Sequence, residues 1–355
     1  MTTTGPTRVW VVSGTRPEVL KLAPVVRALS ARGAAVTWVD TGQQGALVEQ
    51  TFAELGLAPD RRLEVRVRGL GEGTAALLAA VSGALRTAEE PPEKLVVHGD
   101  TSTALAGALA AFYAGVPVAH VEAGLRSHDR AHPFPEEQHR LLVDRLATWW
   151  LAPTAEARDT LLAEGCAAER VHLVGNPVVD ALHAARRRPS QLPADAASLL
   201  TGPAPTVLVT CHRRENHGRM AAVAQALRTL REDHGVLVVR HPHPATRAVA
   251  EAATVALGPL DQATFVALLD RVDVVLTDSG GVQEEAVALG RRALVLRETT
   301  ERPEGVGLGL LELVGTDPDR VVGAVRAEQQ VPRWTGVCPY GPGDAGDRIA
   351  EALLR

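Results

Sequence analysis

Apolar runs of strand length alternate with stretches of helical spacing along almost the whole chain. Arg8 to Val12, Ala35 to Val39, Leu63 to Val67, Leu95 to Val97 and Val116 to Val121 read as strands. Between them Glu18 to Ala31, Ala46 to Leu55 and the small-residue run Ala104 to Ala114 place apolar residues at helical intervals. This βαβ repetition predicts a parallel sheet with helices on both faces. Around Gly175-Asn176-Pro177 the pattern changes, and a helix carrying Arg186-Arg187-Arg188 leads into Pro189, Pro193, Pro203 and Pro205. A domain junction is expected there. A second alternating series follows, with strands near Thr206 to Thr210, Val236 to Val239, Thr254 to Leu257, Val272 to Leu276 and Ala293 to Leu296. A Pro/Gly segment, Pro339 to Gly346, and a short amphipathic helix close the chain. The simplest architecture is two doubly wound α/β domains facing across a cleft, with ligands at the carboxyl ends of the strands.

One stretch of the second series is the most informative. The strand Val272 to Thr277 breaks at Asp278-Ser279-Gly280-Gly281, and helical spacing resumes at Val282, Ala286 and Leu289. The polar turn therefore sits at a helix N-terminus, where unpaired N–H groups and the helix dipole favour an anion. Two glycines let a phosphate approach the backbone closely.

Composition narrows the partner. With a formal net charge of -5, 3% aromatic residues and no block of like charge, a nucleic-acid groove with stacking residues is not expected. No apolar run is long enough for a membrane span and the N-terminus lacks a signal pattern, so a soluble, cytoplasmic protein is expected. Cys166, Cys211 and Cys338 are far apart, which argues against disulfides and a thiolate metal site.

Candidate chemistry lies at the predicted strand ends. After the first strand come Ser13-Gly14-Thr15-Arg16-Pro17-Glu18 and then Lys21, one of only two lysines in a chain with 35 arginines. Asp100 and Glu122 end successive strands, and Glu136 follows in Pro133-Phe134-Pro135-Glu136-Glu137. Carboxylates so placed can protonate one atom while deprotonating another, although each also suits a helix cap. The run Cys211-His212-Arg213-Arg214-Glu215-Asn216-His217-Gly218 offers cations to an anion, and Arg297 to Glu304 is dense in polar groups after a strand. Gly69-Leu70-Gly71-Glu72-Gly73 has its third glycine one residue early for a dinucleotide fingerprint, and His241-Pro242-His243 lacks a third zinc ligand. No Gly-x-Ser-x-Gly elbow supports a serine nucleophile.

Taken in order, these segments resemble the non-hydrolysing UDP-N-acetylglucosamine 2-epimerases. The matching pieces are Gly14-Thr15-Arg16-Pro17-Glu18 with Lys21, His98-Gly99-Asp100-Thr101, His120 to Arg126, Pro133 to Glu137, Gly175 to Asp180, His212 to Asn216, Asp278 to Glu285 and Thr299 to Glu304. The resemblance implies two Rossmann-like domains in the B-type glycosyltransferase fold with the active site in the interdomain cleft. The first would hold residues 1–175 with a returning helix at 344–355, and the second residues 176–343. It also implies a homodimer with no metal or nicotinamide cofactor, acting on UDP-GlcNAc and UDP-ManNAc. Loss of UDP would make the sugar cation-like and its C2 proton removable, giving a 2-acetamidoglucal; returning the proton to the other face and UDP to C1 completes the inversion. By the same resemblance Asp100, Glu122 and Glu136 share the acid and base roles. Ser279, Gly280 and Gly281 hold the pyrophosphate, Glu285 the ribose, and Phe265 packs near the uracil. His212, Arg16 and Arg302 meet phosphate, and Lys21 lies in the substrate site.

The chain also departs from its relatives. Bacterial members often carry Gln-His-Arg-x-Met and Arg-Gln-Thr segments that bind a second, activating UDP-GlcNAc; here the corresponding residues are Gln43-Gln44-Gly45-Ala46-Leu47 and Gly71-Glu72-Gly73-Thr74. Weak or absent substrate activation is expected. The competing readings are a hydrolysing epimerase releasing ManNAc and UDP, an epimerase of a specialised sugar pathway, a glycosyltransferase of the same fold, and a catalytically silent UDP-sugar sensor.

Overall fold

A computed structural model describes residues 5–66, 69–241, 243–328 and 330–355. It divides into two compact units, one running to Ala181 and including Tyr340–Arg355, the other Leu182–Pro339.

The first unit contains β1 (Arg8–Ser13), α1 (Arg16–Ala31), β2 (Ala35–Asp40), α2 (Ala46–Leu55), β3 (Arg61–Arg62), α3 (Leu70–Arg86) and β4 (Lys94–His98). It continues with α4 (Ser102–Tyr113), β5 (Val118–Val121), α5 (Glu136–Leu146), β6 (Trp149–Ala152), α6 (Ala155–Ala163), β7 (Val171–Leu173) and the start of α7 (Pro177–Arg186). The strands form one parallel sheet in the order β3-β2-β1-β4-β5-β6-β7. Side chains alternate across it. Val9 and Val11 enter a core with Val19, Leu22, Ile349 and Leu353, whereas Trp10 and Val12 enter another with Val81, Ala104 and Ala108. Burial on both faces explains why β1 is an unbroken apolar run rather than an alternating one.

The strand expected over Leu63 to Val67 is the one clear displacement in this unit. The ladder with β2 is β3, opposite Val39 and Asp40, and Leu63 N adds one bond to the Asp40 carbonyl oxygen at 2.8 Å. Glu64 then adopts φ 49°, a left-handed conformation that interrupts an extended strand. Val67 and Arg68 lie outside the described residues, as does Pro242.

The second unit contains α8 (Ala194–Leu200), β8 (Thr206–Thr210), α9 (Met220–Leu230), β9 (Gly235–Val239), α10 (Arg247–Glu251), β10 (Val255–Leu257) and α11 (Gln262–Leu269). It ends with β11 (Val274–Thr277), α12 (Gly280–Ala288), β12 (Ala293–Val295), α13 (Pro303–Gly307), β13 (Leu311–Leu313) and α14 (Pro318–Glu328). Its parallel sheet has the order β10-β9-β8-β11-β12-β13. The strand order reverses between β1 and β4 in the first sheet and between β8 and β11 in the second, and such switch points open a crevice at the carboxyl edge.

The final helix, α15 (Ala345–Leu354), belongs to the first unit. It packs on α1 through Ile349, Ala350 and Leu353, each large apolar side chain contributing on the order of 2 kcal/mol by burial. Gly346 has no Cβ because one would lie 2.8 Å from the Pro24 carbonyl oxygen. Asp180 caps this helix, accepting from Ala345 N at 3.2 Å and Gly346 N at 3.0 Å.

Candidate active site

In the first unit, the loops after β1, β4 and β5 bring several groups of the sequence reading together. Thr15 precedes α1, and Glu18 one turn in accepts from Gly14 N (3.0 Å), Thr15 N (2.8 Å) and Thr101 Oγ1 (2.6 Å). Burial raises the Glu18 carboxyl above its usual range even though these donors, together with His98, pull the other way. Glu18 thereby ties the β1 loop carrying Arg16 to the β4 loop carrying Asp100. A further turn along, Lys21 Nζ donates to Glu122 Oε1 at 2.7 Å.

Glu122 is the centre of this cluster. Its backbone has φ 70°, a conformation costing a non-glycine residue about 1–3 kcal/mol, and its side chain is 7% exposed. Besides Lys21, Asn176 Nδ2 donates to Oε1 at 3.0 Å, and His98 Nε2 lies 3.1 Å from Oε2 without hydrogen-bond alignment. A Cβ on Gly99 would come 3.3 Å from the same Oε2. The carboxylate therefore lies against the peptide that precedes Asp100.

Asp100 is paired with Arg140 of α5, whose Nη1 donates to the buried Glu137 at 3.1 Å. Its carbonyl faces His139 Nδ1 at 2.9 Å. Glu136 begins α5 and is half-buried. Beneath the Gly99-Asp100 turn, the buried His120 spans the Gly99 carbonyl oxygen (2.9 Å) and Asp144 Oδ1 (2.6 Å). Burial opposes the Asp144 charge, but His120 and then Arg126 outweigh it and hold the carboxyl below its usual range.

In the second unit, Ser279 precedes α12, whose first residues are Gly280 and Gly281. The Arg302 guanidinium lies on Gly280, where a Cβ would be 2.6 Å from Nη1. Gly281 is different: its φ is not in the left-handed region and a Cβ there would meet nothing. Neither packing nor backbone conformation requires a glycine at that position. Asp278, fully buried, accepts from His212 N (3.0 Å), Arg213 N (2.9 Å) and Asn216 Nδ2 (3.0 Å), and so moulds the β8 loop around the same turn. Burial, followed by the charges of Arg213, His241 and His217, pushes the His212 imidazole below its usual range against the pull of Asp278. Gln262 Nε2 donates to Glu285 Oε1 at 2.6 Å, which joins α12 to the helix carrying the half-buried Phe265.

Residues 27–354 match the family described as UDP-N-acetylglucosamine 2-epimerase. The chain belongs to that family. It is 38% identical over 370 residues to the UDP-N-acetylglucosamine 2-epimerase of Escherichia coli, with 98% of each chain covered. Among solved structures it resembles UDP-GlcNAc 2-epimerase from Neisseria meningitidis bound to UDP-GlcNAc, at TM-score 0.88 and 30% identity over 98% of this chain and 100% of that one. The enzyme from Methanocaldococcus jannaschii, in complex with UDP-GlcNAc and UDP, superposes at TM-score 0.86 with 32% identity, covering 98% and 99% of the two chains.

Within the epimerase family frame, each unit gathers its own share of the expected residues. The first holds Arg16, Lys21, Asp100, Glu122 and Glu136; the second holds His212, Phe265, Ser279, Gly280, Gly281, Glu285 and Arg302. Sequence reasoning missed Arg140 and Gln262 as partners of these groups. Arg140 was discoverable in principle, one helical turn beyond Glu136; Gln262 sits 23 residues from Glu285 and leaves no local signal.

Proposed function

We propose that this chain interconverts UDP-GlcNAc and UDP-ManNAc by eliminating UDP and adding it back, without net hydrolysis. The observation that carries the reading is the Glu122 carboxylate, strained, buried and held by Lys21 and Asn176 against the turn that bears Asp100. Such a group is preorganised for proton transfer and costs little reorganisation at the moment of reaction. The related Neisseria and Methanocaldococcus enzymes, solved with UDP-GlcNAc, support the substrate class.

In this reading the α12 N-terminus, with Ser279, Gly280 and Gly281, takes the diphosphate. His212, Arg16 and Arg302 stabilise its charge as the C1–O bond breaks. Glu285 receives the ribose hydroxyls and Phe265 packs by the base. Asp100, Glu122 and Glu136 take the C2 proton from one face of the sugar and return one to the other. Each tenfold in rate needs about 1.4 kcal/mol of barrier lowering, and charge stabilisation on the leaving group is the largest contributor. The functional unit is a homodimer, for which the exposed Phe112 and Tyr113 of α4 and Leu142 of α5 offer apolar surface to cover.

Incubation with UDP-GlcNAc in heavy water, followed by proton NMR, tests the reading. Deuterium at C2 together with UDP-ManNAc is expected. Free ManNAc with UDP would instead establish the hydrolysing reaction, and absence of C2 exchange would leave a UDP-sugar binding protein or a transferase.

A further inference from the structure

Five charged side chains of alternating sign cross the carboxyl edge of the second sheet. Glu215 follows β8, Glu284 lies on α12 after β11, and Glu301 with Arg297 and Arg302 follows β12, so the row spans three adjacent strands. Arg297 Nε donates to Glu215 Oε1 at 2.8 Å, and its Nη1 donates to Glu301 Oε2 at 2.9 Å. Glu301 accepts in turn from Arg302, whose Nε also donates to Glu284 Oε1 at 2.8 Å. Four of the five side chains are 6% exposed or less.

The loop that carries Glu215 also carries His212, and the loop that carries Glu301 also carries Arg302. Asn216 adds a parallel tie, its Nδ2 donating to the Leu296 carbonyl oxygen at 2.9 Å. Buried charges of this kind persist only while their partners stay in place, and a planar guanidinium fixes the angle between the two carboxylates that it bridges. Arg297, in the middle of the row, thus sets the relation between the His212 loop and the Arg302 guanidinium.

We propose that Arg297 is a positioning residue for diphosphate binding, locking the His212 loop and Arg302 into one unit; the inference rests on the UDP-binding reading above. Arg297 acts through Glu215 and Glu301, not on the ligand. The lock explains how the guanidinium beside Gly280 keeps its orientation over the α12 N-terminus.

The test is UDP affinity by calorimetry on the full chain, for the wild type, Arg297→Lys, Arg302→Gln and the double variant. Lysine keeps the charge but cannot present a planar fork to both carboxylates. Arg297→Lys should weaken UDP binding by about tenfold, and by less than about threefold where Arg302 has already been replaced, because coupled sites are not additive. Equal losses in both backgrounds, or wild-type affinity in Arg297→Lys, would overturn the proposal. If Arg297→Lys does not fold, Glu215→Gln removes the outer rung and is read by the same comparison. A wild-type chain with no affinity for UDP would sink the functional reading and this inference together, an outcome distinct from equal losses.

Discussion

Lys21 Nζ and Glu122 Oε1 stand 2.7 Å apart with both side chains 7% exposed, so one of the chain's two lysines neutralises the strained carboxylate at the end of β5. An ammonium reaches one oxygen as a compact point charge, and the other oxygen of Glu122 is left facing Gly99 and His98. Removing one member of a buried pair leaves the other uncompensated, at a cost of about 3–5 kcal/mol. Lys21→Met should therefore lower unfolding stability by about that amount, and the double variant Lys21→Met/Glu122→Gln should lose less than the sum of the singles. Urea unfolding followed by tryptophan fluorescence measures both. Strict additivity would show that the pair contributes no coupling.

Asp100→Asn keeps the shape of the side chain and its place beside Arg140 while removing the carboxylate. Turnover of UDP-GlcNAc should fall by at least roughly a hundredfold, the lower end for acid–base catalysis. The thermal midpoint should move less than in Lys21→Met, since Asp100 is partly exposed, with 28% of its side chain accessible, and the buried Arg140 keeps Glu137 as a second carboxylate partner. Near-normal turnover would remove Asp100 from the chemistry.

The central strands of the two sheets were legible in the sequence because buried parallel strands are continuous apolar runs, and β1, β2, β8 and β12 begin within a residue of where the pattern places them, whereas the short strands β6, β7 and β13 were not read. The edge strand β3 was not, since Arg61-Arg62 has no apolar signal and the more apolar Leu63 to Val65 is broken by the Glu64 conformation. Motifs were visible as clusters of residue types, but their internal partners were not. Asp180, read only as part of the Gly175 to Asp180 motif, proves to cap a helix 165 residues away. Asn176 in the same motif supports Glu122, and no local spacing announces a contact across 54 residues.

The two glycines at the start of α12 should respond differently to the same substitution. A methyl group at Gly280 would overlap the Arg302 guanidinium, so Gly280→Ala should lower both UDP affinity and thermal stability. A methyl group at Gly281 meets no protein atom. Gly281→Ala should leave stability unchanged or slightly raised, as glycine replacement in a helix allows, while weakening UDP binding by about tenfold. Calorimetry with UDP and a thermal melt on each variant separate the two. Full UDP affinity in Gly281→Ala would mean that the diphosphate does not approach this turn.

Acid should cost the protein stability through His212. Its imidazole is held below the ordinary value chiefly by burial, and then by the neighbouring Arg213, His241 and His217. The unfolded chain therefore binds a proton at higher pH than the folded one, so stability is complete above the unfolded value of about 6.5 and is lost as pH falls below it. Asn in place of His212 cannot take up that proton. His212→Asn should lose less thermal stability than the wild type between about pH 7 and pH 5.5. Parallel losses in the two proteins would show that His212 does not control the acid response.

The departures at the second nucleotide-sugar site predict simple kinetics. The carboxamide oxygen of Gln44 is engaged by Arg16 N at 2.8 Å. The oxygen of Gln43 accepts from Thr103 Oγ1 at 2.7 Å. Both amides thus serve the β1 and β4 loops of the first unit. A ligand that meets no differential contacts cannot shift an equilibrium between states. Initial rates in UDP-GlcNAc should be hyperbolic, and UDP-ManNAc should turn over without added UDP-GlcNAc. A sigmoidal curve, or a requirement for UDP-GlcNAc in the reverse reaction, would show that other residues of this chain have rebuilt the activating site.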